Sequence, residues 1–171
     1  MRLYPGRLPE LAKDTLRSLT KDGAIELIED HVQEAELDIE SVLREYHRQE
    51  REVHDHAKDV LAARGMDFSN LRRVKMQLAS QRGMKLGDDG YEYLMDQIIE
   101  MIYHSKNVDE IFCDNSDLRR RMLPVLRKYT AQEEKIEQQA KARLKNLDEG
   151  TVTWDLEITR QIDQIRRERN G

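Results

Sequence analysis

Two groups of residues have types and spacing that could support chemistry. In the first, His47, Glu50 and His54 lie at i, i+3 and i+7 of a helical stretch and share one face. Imidazole and carboxylate groups at this spacing can ligate a metal. A structural metal site needs four ligands, however, and no further ligand cluster accompanies these three. We therefore expect no metal and no cofactor.

The second group is a Gln-Glu step that occurs twice and ends at Glu50 and at Glu133. Two carboxylates can share acid and base roles in catalysis, but no nucleophile or anion site accompanies them. A glutamine such as Gln49 at a helix seam can instead set the register of paired helices. We expect the two glutamates to receive Arg44, Arg127 or a lysine from the opposite copy.

Both Gln-Glu steps lie in a segment that is written twice. Residues 42–65 and 125–148 align without a gap at an offset of 83, with nine identities. The recurring residues of the first copy are Val42, Leu43, Arg44, Tyr46, Gln49, Glu50, Ala57, Lys58 and Leu61. A repeated helical unit buries its apolar face against its twin. We therefore predict two tandem, similar units, 1–87 and 88–171, packed as one compact domain.

The composition favours helices. Charged residues make up 37% of the chain, against about 25% in an ordinary domain, and there are only three prolines. We predict an all-α fold of about six helices, three in each unit, with minor short strands near 24–28 and 107–112. The predicted order is helix, ambiguous run, long helix and helix, given twice, with the two long helices near one another.

Apolar spacing predicts the details of these helices. The first runs from Leu8 to Thr20 and the long one from about Glu29 to Arg64. We expect Ser69 to cap the third helix, Ser116 or Asp117 to cap the second long helix, and Pro124 to kink or restart it. The stripe predicted for the long helix is Ile39, Val42, Tyr46, Gln49, Val53, His56 and Val60. The predicted core is Leu11, Leu16, Leu19, Ile39, Val42, Tyr46, Val53, Leu61, Leu94, Ile98, Ile102, Val125, Tyr129, Ile136, Leu144 and Trp154.

The net charge of −5 conceals a polarity along the chain. From Glu26 to Val42 there are seven acids and no base, and from Asn70 to Leu86 there are five bases and no acid. The candidate acidic surface is Glu29, Asp30, Glu34, Glu36 and Asp38, and the candidate basic patch is Arg72, Arg73, Lys75, Arg82 and Lys85. The acids either bind a basic partner or pair with the protein's own basic helix, whereas the bases suit a phosphate backbone.

The expected cellular compartment follows from the cysteine count and from the lack of a signal peptide or a membrane span. Cys113 is the single cysteine, so no intramolecular disulfide forms. The N-terminus has no signal-peptide core, and no stretch approaches the roughly 20 apolar residues of a membrane span. We expect a cytoplasmic protein with no membrane contact.

Taken whole, the chain resembles a bacterial family catalogued as domain of unknown function 507. The resemblance rests on MRLYPGRLPELAKDTLRSL, KDGAIEL, VLREYHRQEREVHDHAKDVLAARGMDF, RRVKMQLASQRG and TVTWDLEITRQIDQIRRERNG, and so covers nearly all residues. It implies a bacterial cytosolic protein and no particular activity, cofactor or catalytic residue.

The exposed charged helices and the lack of a recognisable catalytic set favour a non-enzymatic interaction or adaptor protein. Its partner is expected to be another protein or a second copy of the chain. The alternative is association with nucleic acid or the ribosome through the basic helix 70–85. An enzyme of unidentified reaction is the third class.

Overall fold

The computed structural model describes residues 1–170, with side chains through Arg169. In that part of the chain there are six helices: α1 (Leu8–Thr20), α2 (Val32–Ala63), α3 (Leu71–Gln81), α4 (Asp89–His104), α5 (Asn115–Arg143) and α6 (Val152–Asn170). Two short strands, β1 (Ile25–Leu27) and β2 (Val108–Ile111), pair antiparallel. The predicted all-α class with six helices and minor strands is confirmed.

The elements follow one order twice. The sequence α1-β1-α2-α3 is followed by α4-β2-α5-α6, and the two strands join the halves. α1 packs against both α2 and α5, and α4 also packs against both. Within residues 1–170 the two long helices therefore both pack on α1 and α4, and they do not pack extensively along each other. The internal duplication itself stays a prediction.

The buried positions of the long helices agree at the offset of 83. On α2 they are Ala35, Ile39, Leu43, Tyr46, Val53, Ala57 and Leu61; along α5 they are Leu118, Met122, Leu126, Tyr129, Ile136, Ala140 and Leu144. Steps of four outnumber steps of three, which gives about 3.7 residues per turn, close to the 3.6 of a straight helix. The predicted alternation of four and three therefore fails: Gln49 and Val60 are half-buried and His56 is exposed.

Most of the predicted core is confirmed as buried, and Val42, Val125 and Trp154 are half-buried. The main cluster joins α1, α2, α4 and α5. Two smaller clusters lie where α6 packs on α5 and where α3 packs on α2. Each half thus contributes its first two helices to a shared core, and its last helix covers its own long helix.

Three predictions about helix ends are corrected. Asp67 starts the turn before α3, because its side chain accepts a hydrogen bond from the Ser69 amide at 2.8 Å. Asp114 caps α5 by accepting from the Asp117 amide at 2.8 Å. α5 does not restart at Pro124 but runs through it. Pro124 lies on the exposed face, where water can satisfy the carbonyl that the proline leaves without a donor.

Candidate functional site

The histidine-glutamate triad does not form a metal site. His47 and His54 are half-buried, and burial lowers the pKa of both imidazoles below the usual range. Within residues 1–170 no three His, Cys, Asp or Glu side chains are arranged to hold a metal ion. The third member of the triad, Glu50, has a different partner, described below.

Glu133 is the buried member of the repeated glutamate pair, with 6% of its surface exposed. Arg7 donates from Nη1 to its Oε1 at 3.0 Å, and Arg166 of α6 donates to the same oxygen at 3.1 Å. Arg7 also donates to Gln132 Oε1 at 3.3 Å. The expected partners are wrong: Arg44 pairs with Glu40 instead.

Glu50, at the matching position of α2, has a weaker partner. Its side chain is 15% exposed, and the Lys75 ammonium of α3 lies 3.6 Å from its Oε1. The cation therefore comes from the same half of the molecule. Arg127, the other expected partner, lies instead over the Tyr91 ring at 5.9 Å. Both repeated glutamates therefore sit in ion pairs formed by helix packing.

A tyrosine one turn before each glutamate donates to a main-chain carbonyl. Tyr46 of α2 donates to the Lys85 carbonyl at 3.1 Å, just before α4. Tyr129 of α5 donates to the Tyr4 carbonyl at 3.0 Å, just before α1. Each hydroxyl therefore reaches the segment that precedes the first helix of the other half. Burial raises the pKa of both phenols, that of Tyr129 to about 12.

The two tyrosines differ in what stands beside them. The Arg7 guanidinium lies 4.9 Å from the centre of the Tyr129 ring. The residue 83 positions later is Gly90, beside Tyr46. A Cβ at Gly90 would lie 2.6 Å from the Tyr46 hydroxyl and 3.3 Å from the Lys85 carbonyl oxygen. The α5–α1 cleft thus contains an arginine side chain, whereas the matching position of the α2–α4 cleft, Gly90, has no room for one.

The α2–α4 cleft opens into a groove of about 430 Å³. Its lining is Ser41, Val42, Glu45, Tyr46, Gln49, Tyr93, Gln97, Glu100, Met101 and His104. Of these described residues, two are carboxylates and none is lysine or arginine. The Glu45 carboxylate accepts from Arg48 and Gln49, which lowers its pKa to about 2, so it stays ionised at neutral pH.

The acidic segment, Glu26 to Glu40, lies next to this groove, at the end of the molecule where β1 and β2 pair. Of the predicted acidic surface, Glu29, Asp30 and Glu34 are exposed, and Glu36 and Asp38 are half-buried. Asp38 accepts from Ser105 Oγ at 2.6 Å and from Asn107 Nδ2 at 2.8 Å. The other residues of the predicted acidic surface form no ion pair in the part of the chain that the structure describes.

The strands add further negative charge at this end. Glu26 on β1 stands directly opposite Glu110 on β2, and like charges in that position are unfavourable. Four large apolar side chains are exposed on or near the same elements: Val32, Leu37, Tyr103 and Phe112. Sequence reasoning missed Val32 and Leu37, because isolated apolar residues on a polar face carry no periodic signal.

The predicted basic patch is only partly free. Arg82 lies 3.5 Å from Glu52, and Lys75 is paired with Glu50, so both point at α2. Arg72, Arg73 and Lys85 are exposed. The expected pairing of the basic helix with the acidic segment does not occur. α3 packs on the C-terminal part of α2 at Ala57 and Leu61, about 27 residues or roughly 40 Å from Asp30, which lies just before α2.

None of the helices described in residues 1–170 has both the length and the apolar character needed to span a bilayer. A search of the curated proteins finds no match to the chain. A family model described as "Protein of unknown function (DUF507)" matches residues 1–171. The chain therefore belongs to this family.

Proposed function

We propose that this protein is a non-enzymatic cytoplasmic interaction protein that binds a basic protein partner at its acidic end. The observation that carries the proposal is the cluster of exposed carboxylates around β1, β2 and the start of α2, which form no ion pair among the residues that the structure describes even though Lys21 and Lys106 flank the strands. Most acids elsewhere on α2 have cations beside them: Glu40 pairs with Arg44, and Glu52 with Arg48 and Arg82. Uncompensated charge of one sign is a surface that attracts a partner of opposite sign.

The exposed apolar side chains support a protein partner over a simple cation. Leu37 is 61% exposed and Phe112 is 58% exposed, at the same end as the acids. Protein interfaces combine apolar anchors with a polar rim. Leu37 lies four residues before Ser41 on α2, so it extends one wall of the groove toward the acidic segment.

A second candidate function is RNA or ribosome association through α3. The exposed Arg72, Arg73 and Lys85 favour it, since they form no ion pair among the residues described. The engagement of Lys75 and Arg82 by α2 leaves three free cations in this region, which is a small footprint for phosphate contacts.

One copurification experiment separates the two functions. A tagged wild-type protein is compared with a variant carrying Glu26→Lys, Glu29→Lys and Glu34→Lys, and with a matched variant carrying Arg72→Glu, Arg73→Glu and Lys85→Glu. We expect a basic protein to copurify with the wild type and with the α3 variant. The amount recovered with the acidic-segment variant should be at least tenfold lower.

Binding should also weaken as salt rises, because exposed charges are screened. Recovery of no partner, or equal recovery with the acidic-segment variant, contradicts the proposal. RNA retained by the wild type and lost only in the α3 variant assigns the second function instead. Circular dichroism and melting temperatures of both variants show that each is folded.

A further inference from the structure

The groove between α2 and α4 has a counterpart in the same molecule that shows what fits such a cleft. In the α5–α1 cleft, Arg7 lies over Tyr129 and donates to Gln132 and Glu133. It also pairs with Glu10, with Nε 2.9 Å from Oε2. One guanidinium there makes a stacking contact and several charge-assisted hydrogen bonds, a combination that arginine makes better than lysine.

The α2–α4 groove has the same types of group but no arginine of its own. Tyr46 and Gln49 line it at the positions that Tyr129 and Gln132 hold in the other cleft. Tyr93 supplies a second ring, 6.1 Å from that of Tyr46. Gly90 stands where the other half has Arg7, so the chain cannot supply the guanidinium from that position.

The two walls of the groove carry negative charge where the other half carries positive charge. Glu45 on α2 corresponds to Lys128, and Glu100 on α4 corresponds to Arg17. Glu100 is exposed and forms no ion pair within the described chain. Glu45 already accepts hydrogen bonds from Arg48 and Gln49, so Glu100 is the carboxylate of the groove that offers unpaired oxygens. Together with the aromatic floor it suits a planar cation that stacks and binds oxygen in its plane.

We infer that this groove binds an arginine side chain of the basic partner, much as the α5–α1 cleft holds Arg7. The inference rests on the proposed function and names the side chain of the partner that the groove recognises. A volume of about 430 Å³ lies within the 300–1,000 Å³ typical of ligand pockets, so it admits one arginine and part of its neighbours. Leu37 and the acidic segment extend the surface for the flanking residues.

The test uses a short blocked peptide with one arginine between glycines, titrated into ¹⁵N-labelled protein. Matched peptides carry lysine or citrulline, which keeps the shape of arginine without its charge. We expect saturable shifts of backbone amides around Tyr46, Tyr93 and Glu100. Binding of the lysine peptide should be a few-fold weaker, and that of the citrulline peptide at least tenfold weaker.

Two variants locate the site. Glu45→Gln with Glu100→Gln removes the wall charges, and Glu45→Lys with Glu100→Arg copies the residues of the other half. We expect about tenfold weaker binding of the arginine peptide by the first and no measurable binding by the second. Glu92→Gln, an exposed acid on α4 outside the groove, serves as the control and should bind like the wild type.

Equal binding of arginine and citrulline peptides, or shifts confined to residues 26–36, overturns the inference. The same variants are then tested with the copurified partner. A partner lost with the acidic-segment variant but retained by both groove variants leaves the proposed function standing and rejects the arginine site. Failure to copurify any basic protein rejects the proposed function, while the peptide titration still decides what the groove binds.

Discussion

The α5–α1 and α2–α4 clefts have matching buried residues but different contents. Both place a tyrosine on a long helix against a main-chain carbonyl of the segment that leads into α4 or α1. One cleft contains Arg7, which joins α1 to Glu133; the other has Gly90 at that position and stays open. The packing of the two halves therefore constrains the buried stripe, whereas the residues at the mouth of each cleft are free to differ.

The glutamate of the α5–α1 cleft is also buried more deeply, and has more cationic partners, than the glutamate of the α2–α4 cleft. Glu133 is more deeply buried and receives two arginines, whereas Glu50 has a single lysine at a longer distance. A buried charge that loses its partner is costly, while a partly exposed pair contributes little. Stability should therefore depend much more on the filled cleft than on the open one.

The largest expected effect comes from Glu133→Gln. The substitution leaves Arg7 and Arg166 facing a neutral amide, and breaking a buried pair in this way costs about 3–5 kcal/mol. Glu50→Gln should cost at most about 1 kcal/mol, because its pair is looser and partly solvated. Urea unfolding at neutral pH measures both values, and Glu134→Gln on the exposed face of α5 should be close to neutral.

Equal losses for the Glu133 and Glu50 substitutions would show that the two clefts are energetically alike. The difference in burial would then have no consequence for stability, and the comparison would fail at its main point.

The next effect concerns the glycine that keeps the α2–α4 cleft free of a side chain. Gly90→Ala places a methyl group against the Tyr46 hydroxyl and the Lys85 carbonyl, and overpacking of this kind costs about 1–3 kcal/mol. In a Tyr46→Phe background the nearest atom is gone, so the same substitution should cost about 1 kcal/mol less. A double-mutant cycle of unfolding free energies measures this coupling.

Additive costs in that cycle would mean that the backbone moves away from the new methyl group and that Gly90 does not define the cleft. The wild-type glycine would then have no steric role, and its contrast with Arg7 would be incidental.

Periodicity predicted the order of elements and most of the core, because amphipathic helices show their buried face directly in the sequence. It failed at adjacent apolar pairs. Val42 and Leu43 are both apolar, and only packing against α1 and α4 decides that Leu43 faces inward, as Leu126 does on α5. Because Leu43 and not Val42 faces inward, the residue seven positions later that lies next to the core is Glu50 and not Gln49.

The candidate site was less accessible to sequence reasoning. The dense run of identities that reveals the offset begins at residue 42, and only scattered identities such as Leu3 with Leu86 precede it, so the sequence gives little signal that pairs Arg7 with Gly90. The buried residues of α1 and α4 show that the offset extends further: Leu11 and Leu16 match Leu94 and Ile99. Partners brought together by tertiary packing, such as Arg166 on Glu133, have no local signal at all.

A smaller and more equal effect is expected from the two tyrosines. Tyr46→Phe and Tyr129→Phe each remove one hydrogen bond to a main-chain carbonyl, at a cost of about 1 kcal/mol each. Urea midpoints of the two variants should agree within error. A loss confined to Tyr129→Phe would show that only the filled cleft needs the hydrogen bond of its hydroxyl.

The smallest effect is a pH dependence that belongs to the first half. Burial lowers the folded-state pKa of His47 and His54, so both are neutral when folded and gain protons on unfolding. Their contribution to stability is complete above the unfolded pKa of about 6.5 and is lost as the pH falls through the folded value. The matching positions of α5 are Thr130 and Glu137. Arg2 and Lys141 outweigh burial at Glu137 and lower its pKa, so this carboxyl affects stability only at more acid pH.

The urea midpoint of the wild type should therefore fall between pH 7.5 and pH 5.5, and that of a variant with His47→Gln and His54→Gln should change less. His56→Gln, on the exposed face of α2, is the matched control and should keep the wild-type slope. The surrounding charges act in both directions: Glu50 opposes the shift at His47 and Asp55 opposes it at His54, while Arg2 strengthens both. An unchanged slope in the double variant would place the acid sensitivity elsewhere and remove this difference between the halves.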